Sequence, residues 1–99
     1  TNGADCSGFV MSVFAQFGYS LPRVAADQYY QSVQKSVADL EPGDLVFYGS
    51  GISHVALYIG DGQIIHASTS ASGIKISNYD YETPVGVGTY IESDGFYGE

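Results

Sequence analysis

Cysteine occurs once in these 99 residues, at position 6, and histidine twice, at 54 and 66. Together they supply the parts a thiol hydrolase needs. A thiolate attacks a carbonyl, one imidazole moves the proton, and the second holds the first in the required tautomer. Cys6 heads an apolar series, Cys6, Phe9, Val10, Val13, Phe14 and Phe17, whose spacing marks one face of a helix. The pattern predicts a helix over 6–17, stopped by Gly18. A thiol in the first turn of that helix lies at the positive end of the macrodipole, among backbone N–H groups that lack intrahelical partners. Both features favour the reactive thiolate. The same N–H groups, that of Cys6 included, are expected to receive the oxyanion of an acyl-transfer intermediate.

The histidines lie on neighbouring predicted strands, 54–59 and 63–67, joined through Gly60-Asp61-Gly62. Loop length decides whether their rings cooperate, because side chains alternate between the faces of a strand. A two-residue loop pairs Gly60 with Gln63 and Leu57 with His66, which sends the rings to opposite faces. A three-residue loop pairs Ile59 with Gln63 and Ala56 with His66. The rings then share a face as diagonal neighbours, roughly 7–8 Å apart at the backbone. Gly62 suits the left-handed position that closes a three-residue loop. Catalysis by this pair therefore predicts the three-residue loop, with His54 at its strand start as base and His66 as orienter.

The remaining elements must position these groups. Leu21-Pro22-Arg23 reads as extended, because proline keeps the residue before it out of helical angles. A short helix is expected over 24–33. Glu41-Pro42-Gly43-Asp44 reads as a type II turn leading into a strand at 45–48. Further strands are expected at 74–77 and 85–91, the last interrupted by Gly86 and Gly88. The tail from Glu92 reads as surface or frayed chain. Helices first and strands after indicate an α+β fold, with helix one packed on an antiparallel sheet of about five strands. The length suits one domain, 1–99.

Eleven acidic residues stand against Arg23, Lys35 and Lys75. That balance disfavours nucleic acid and anionic membranes, whose binding depends on lysine and arginine. No apolar run reaches transmembrane length, and a single cysteine excludes an internal disulfide. Cys6, His54 and His66 are also a conceivable zinc set with an open fourth position. The chain offers no second cysteine or paired carboxylate at short ligand spacing, so no metal and no cofactor are expected. Asp5 reads either as a helix N-cap or as a carboxylate facing a substrate ammonium at the cleft edge. Ser7 and Ser53 flank the reactive residues and are the other candidate substrate contacts.

Asp5-Cys6-Ser7-Gly8-Phe9-Val10, Leu21-Pro22-Arg23 and Leu40-Glu41-Pro42-Gly43-Asp44-Leu45-Val46-Phe47-Tyr48, followed by Ser53-His54-Val55-Ala56-Leu57-Tyr58-Ile59-Gly60 and Ile64-Ile65-His66-Ala67, resemble the NlpC/P60 cysteine peptidases of bacterial cell walls. The resemblance runs from about residue 4 to 77. It implies a papain-like fold, with Cys6 as nucleophile, His54 as base and His66 as the third residue. It also implies a secreted, wall-associated or phage-associated protein acting on peptidoglycan stem peptides. The implied bond joins D-γ-glutamyl to a diamino acid, and Asp5 anchors a free substrate amine. Family members carry a further segment before the Asp-Cys motif, with a tyrosine that lines the site. Four residues precede Asp5 here, so the chain is expected to be a fragment of a larger protein with other domains, or to be completed by a separate N-terminal segment, or to have a minimal fold. Two alternatives use the same fold: a catalytically inactive wall-binding module, and a thiol amidase or acyltransferase acting on another amide.

Overall fold

Strand β2, Leu45–Tyr48, is buried along its whole length. An unbroken run of Leu, Val, Phe and Tyr suits a central strand covered on both faces. The computed structural model describes residues 2–67 and 73–91, with side chains from Cys6 onward. Within these residues the chain runs α1 (Asn2–Ala15), α2 (Ala25–Gln31), β1 (Val33–Lys35), a 3₁₀ turn (Val37–Asp39), β2, β3 (His54–Gly60), β4 (Gln63–Ala67), β5 (Ile74–Asn78) and β6 (Gly86–Thr89). The strands form one antiparallel sheet in the order β1-β6-β2-β3-β4-β5. The expected α+β architecture is present, with six strands rather than about five.

Alternation divides the core. Leu45, Phe47 and Val55 face α1 and pack with Cys6, Val10 and Phe14. Val46, Tyr48, Ala56, Ile64 and Val87 form a second cluster on the opposite face. The type II turn is present: the Asp44 amide donates to the Glu41 carbonyl at 3.0 Å, and Gly43 takes φ +98°. The buried Asp44 carboxylate also accepts from the Glu41 amide at 2.8 Å and from Lys35 Nζ at 2.6 Å. Those bonds tie the entry of β2 to edge strand β1.

Three expectations about element ends are corrected. Helix α1 begins at Asn2, four residues before Cys6, and ends at Ala15. The Gly18 amide donates to Ala15 and that of Tyr19 to Phe14, with Gly18 at φ +89°. That early closure turns Phe17 outward, 75% exposed, instead of completing the apolar face. Helix α2 stops at Gln31. Ser32 is extended, its hydroxyl on the Tyr29 carbonyl at 2.6 Å, and Val33 opens β1 on the sheet edge. The two glycines of β6 serve close approach. A Cβ at Gly86 would collide with the Tyr29 ring, and one at Gly88 with the Ser32 side chain. The expectations for Asp5's side chain and for the tail from Glu92 lie outside the described residues.

Candidate active site

His54 Nε2 and His66 Nδ1 lie 2.7 Å apart, a hydrogen bond between rings packed edge to face at 73°. The hairpin achieves this by a route different from the expected one. Its loop is the two-residue Asp61-Gly62 turn, with Gly60 paired to Gln63 and both turn residues at positive φ, 56° and 74°. These are the angles of a type I′ turn. A bulge at Ile59 then takes up one residue, so Tyr58 pairs with Ile64 and Leu57 with Ile65. Continued one step, this register sets Ala56 opposite His66, the pairing expected of a three-residue loop. The loop-length expectation is thus corrected, while the shared face is observed. The extra residue sits in the strand, where a bulge resets register without lengthening the turn.

Tyr48, paired with His54, extends the cluster on the same face. Its ring centroid lies 5.9 Å from that of His54 and 5.2 Å from that of Tyr81, and Tyr81 lies 5.4 Å from His66. The Tyr48 hydroxyl donates to the Tyr79 carbonyl at 2.7 Å, and burial raises its pKa so that it remains a donor. Burial lowers His54, against the pull of Glu82 in the other direction. It lowers His66 further, to about 4, with the charges of His54 and Lys75 acting in the same sense. Burial thus disfavours the charged form of both rings in the resting site. His66 Nε2 continues the chain to Ser77 Oγ at 3.1 Å on β5.

Cys6 is fully buried, its Sγ 4.0 Å from the carbonyl oxygen of Ser53, the residue before His54. The segment presenting that carbonyl is a tight turn from Gly49. The Ser53 amide donates to Tyr48, the Ile52 amide donates to Gly49, and Ile52 adopts φ 60°. A β-branched residue in the left-handed region is strained by about 1–3 kcal/mol and is kept there by its surroundings. Here Ile52 packs against the α1 core cluster. The long α1 also corrects the helix-terminus expectation. Cys6 lies in the second turn, where its N–H falls on the intrahelical ladder and the terminal field has weakened. The Cys6 N–H is thus engaged within the helix and unavailable to an oxyanion. Asp5, inside the same helix, is not its N-cap.

Ser7 is buried, accepting from Arg23 Nη1 at 3.0 Å through its hydroxyl and from Gln28 Nε2 at 3.2 Å through its carbonyl. These bonds hold the Pro22–Arg23 segment and α2 against α1. Ser53 is exposed beside the thiol. Among the described residues no group of three or more His, Cys, Asp or Glu is placed to hold a metal, and no helix is long and apolar enough to cross a membrane. A hollow of about 370 Å³ along α1 is lined by Val13, Phe14, Phe17 and Leu57 among others, and none of Cys6, His54 and His66 borders it. Sequence reasoning missed Ser77, Tyr48 and Tyr81 as neighbours of the imidazoles. Tyr48 could have been found from its place at the strand end facing His54.

The family profile described as NlpC/P60 matches residues 1–89. The chain is 50% identical over 76 residues to the protein named Probable endopeptidase p60 of Listeria seeligeri, covering 75% of this chain and 14% of that protein. The structure of the peptidoglycan hydrolase RipB from Mycobacterium tuberculosis superimposes with a TM-score of 0.82 at 40% identity, over 89% of this chain and 45% of that one. RipD from the same organism, described as a non-catalytic NlpC/p60 domain protein adapted to peptidoglycan binding, gives a TM-score of 0.79 at 27% identity, over 88% of this chain and 67% of that one. The chain thus spans less than half the length of p60 and of the RipB chain. A profile match across most of the sequence, with the same fold in RipB, places this chain in the NlpC/P60 family.

Proposed function

We propose that this domain is a cysteine endopeptidase that hydrolyses peptidoglycan stem peptides, with Cys6 as nucleophile, His54 as general base and His66 as orienter. The observation carrying the proposal is the 2.7 Å bond between His54 Nε2 and His66 Nδ1, with the Cys6 thiol against the residue preceding His54. Because Nε2 is engaged with His66, Nδ1 is the His54 nitrogen available to the thiol. Resemblance to RipB, a peptidoglycan hydrolase, supports the substrate class, and resemblance to p60, a probable endopeptidase, supports the reaction. The proposed bond joins D-γ-glutamyl to a diamino acid. Asp5 meets the free amine of the substrate and Ser53 borders the bound peptide, while the buried Ser7 acts indirectly, by holding Arg23.

In the first half-reaction the thiol proton passes to His54 Nδ1 and the sulfur attacks the carbonyl carbon. The tetrahedral intermediate collapses to a thioester as the C–N bond breaks, and the leaving amine takes the proton from His54. In the second, His54 Nδ1 removes a proton from water, the hydroxide attacks the thioester, and the acid product leaves as the thiolate recovers a proton. No metal or other cofactor enters either step. The proposed setting is the cell wall or the extracellular space.

The second reading is a wall-binding module without hydrolysis. Two observations favour it: the complete burial of the Cys6 side chain and the likeness to RipD. Incubation with purified peptidoglycan and with a defined L-Ala-γ-D-Glu-diaminopimelate peptide, read by mass spectrometry, separates the two. The peptidase releases fragments cut after D-glutamate, and Cys6→Ala abolishes them without loss of fold. Wall binding with no fragments from the wild-type chain would establish the second reading.

A further inference from the structure

The polar chain at the imidazoles does not end at His66. On β5, Ser77 pairs with Ile64 and Lys75 with His66, so Ser77 lies on the imidazole-bearing face, diagonal to His66. Its hydroxyl is 3.1 Å from His66 Nε2, while His66 Nδ1 holds His54 Nε2 at 2.7 Å. His66 is 2% exposed, so neither ring nitrogen can turn to bulk water for a partner. We propose that Ser77 is a positioning residue of this site: its oxygen accepts the Nε2 proton of His66 and thereby sets which nitrogen of each imidazole carries a proton. The proposal rests on the peptidase reading for its consequence in catalysis, and on the geometry alone for the tautomer.

A neutral imidazole has one N–H and one lone pair. If Ser77 accepts from His66 Nε2, His66 Nδ1 carries the lone pair and must accept from His54 Nε2. His54, with its single proton on Nε2, then offers its Nδ1 lone pair to the thiol. When the thiol proton arrives, His54 becomes an imidazolium, and its Nε2–H already points at an acceptor. The reverse polarity, with Ser77 donating, puts the proton of His66 on Nδ1. His54 then has to accept at Nε2 and keep its own proton on Nδ1, where it cannot take another. Protonating His54 in that arrangement would also set two N–H groups against each other across 2.7 Å. Only the first polarity supports a thiolate–imidazolium pair, and only an acceptor at Ser77 satisfies the buried His66 Nε2–H that it requires. Among the described residues, the other titratable or charged groups facing the pair are Tyr48 and Tyr81 by ring contact, and Glu82 and Lys75 by charge.

The wild-type chain gives the first test. Imidazole ¹⁵N shifts at neutral pH should show His66 protonated at Nε2 and His54 at Nε2 as well. A proton on His66 Nδ1 overturns the proposal. Variants give the second. Ser77→Ala should lower kcat on the defined stem peptide by about fivefold to a hundredfold with little change in KM. It should also move the half-point of Cys6 alkylation by iodoacetamide to higher pH. Ser77→Thr, which keeps a hydroxyl on the same Cβ, should restore both. An unchanged kcat and half-point in Ser77→Ala overturns the assignment, as does equal impairment in Ser77→Ala and Ser77→Thr. If the wild-type chain fails to hydrolyse stem peptides, the function falls. The ¹⁵N shifts and the alkylation half-points still decide the role of Ser77.

Discussion

The two faces of the sheet are built from the same strands and do different work. Toward α1, Leu45, Phe47 and Val55 close around Val10 and Phe14 in an apolar layer. On the other face His54, His66 and Ser77 form a hydrogen-bonded chain, with Tyr48 beside it and Val46, Ala56 and Ile64 beneath. Adjacent residues in β2 and β3 therefore belong to different tasks. A single step of register would exchange them, and the Ile59 bulge keeps β4, with His66 and Ile64, in step with the polar face of β3. Cys6 joins the faces. It packs in the apolar layer, yet its sulfur lies at the sheet's end beside Ser53 and the strained Ile52. One layer carries the apolar packing, the other carries the linked imidazoles, and the turn between β2 and β3 presents the Ser53 carbonyl to the thiol.

Substitutions can break that division or sharpen it. On the polar face, His54→Ala should reduce stem-peptide hydrolysis by about 10³–10⁴-fold, on the order of 4–5 kcal/mol of transition-state stabilisation, while the urea midpoint stays close to wild type. A collapse of the fold instead would show that the polar face carries stability. On the apolar face, Phe47→Ala should lower unfolding free energy by about 3–5 kcal/mol in urea titration, because it empties a fully buried site. Whatever fraction remains folded should hydrolyse at close to the wild-type rate.

Protonation offers a softer probe of the polar face. His66 titrates at about 4 in the folded chain against an ordinary 6.5, with His54 lowered as well. Between those values the unfolded chain binds protons that the native site refuses. Stability is therefore fully present above about pH 6.5 and is lost as pH falls toward 4, by on the order of 2–3 kcal/mol for His66. Urea midpoints across that range check it. His66→Gln, which does not titrate, should flatten this part of the profile. The smallest effect belongs to Phe17, which the apolar spacing assigned to the core and the structure exposes. Phe17→Ser should change stability by no more than about 0.5 kcal/mol in the same titration.

What was legible in the sequence follows from which signals are periodic. The apolar spacing exposed the buried face of α1 through Cys6, Val10 and Phe14, and the apolar runs on either side of Gly60-Asp61-Gly62 exposed both strands, while the shared face of the histidines hung on a loop length the sequence leaves open. Ends and insertions left weaker traces. Asn2-Gly3-Ala4-Asp5 has no apolar rhythm to announce a helix, so the sequence marks α1 only from Cys6. Val33 fits an apolar helical position as well as a β-branched edge position, and only pairing with β6 separates the two. The bulge at Ile59 has no compositional mark, whereas the glycines around Asp61 fit either loop length. Ser77 was invisible for another reason. A lone serine on an edge strand acquires meaning only when the register places it beside His66.

The central claim is that His54 and His66 turn the Cys6 thiol into a nucleophile without help from a helix terminus. The rate of Cys6 alkylation by iodoacetamide, followed against pH, tests it most directly. Because the thiol is buried, absolute rates also reflect access, but the half-point of the curve reads ionisation. The account predicts a half-point well below the ~8.5 of a free cysteine, returning toward that value in His54→Ala. A half-point near ~8.5 in the wild-type chain, unchanged by His54→Ala, would contradict it.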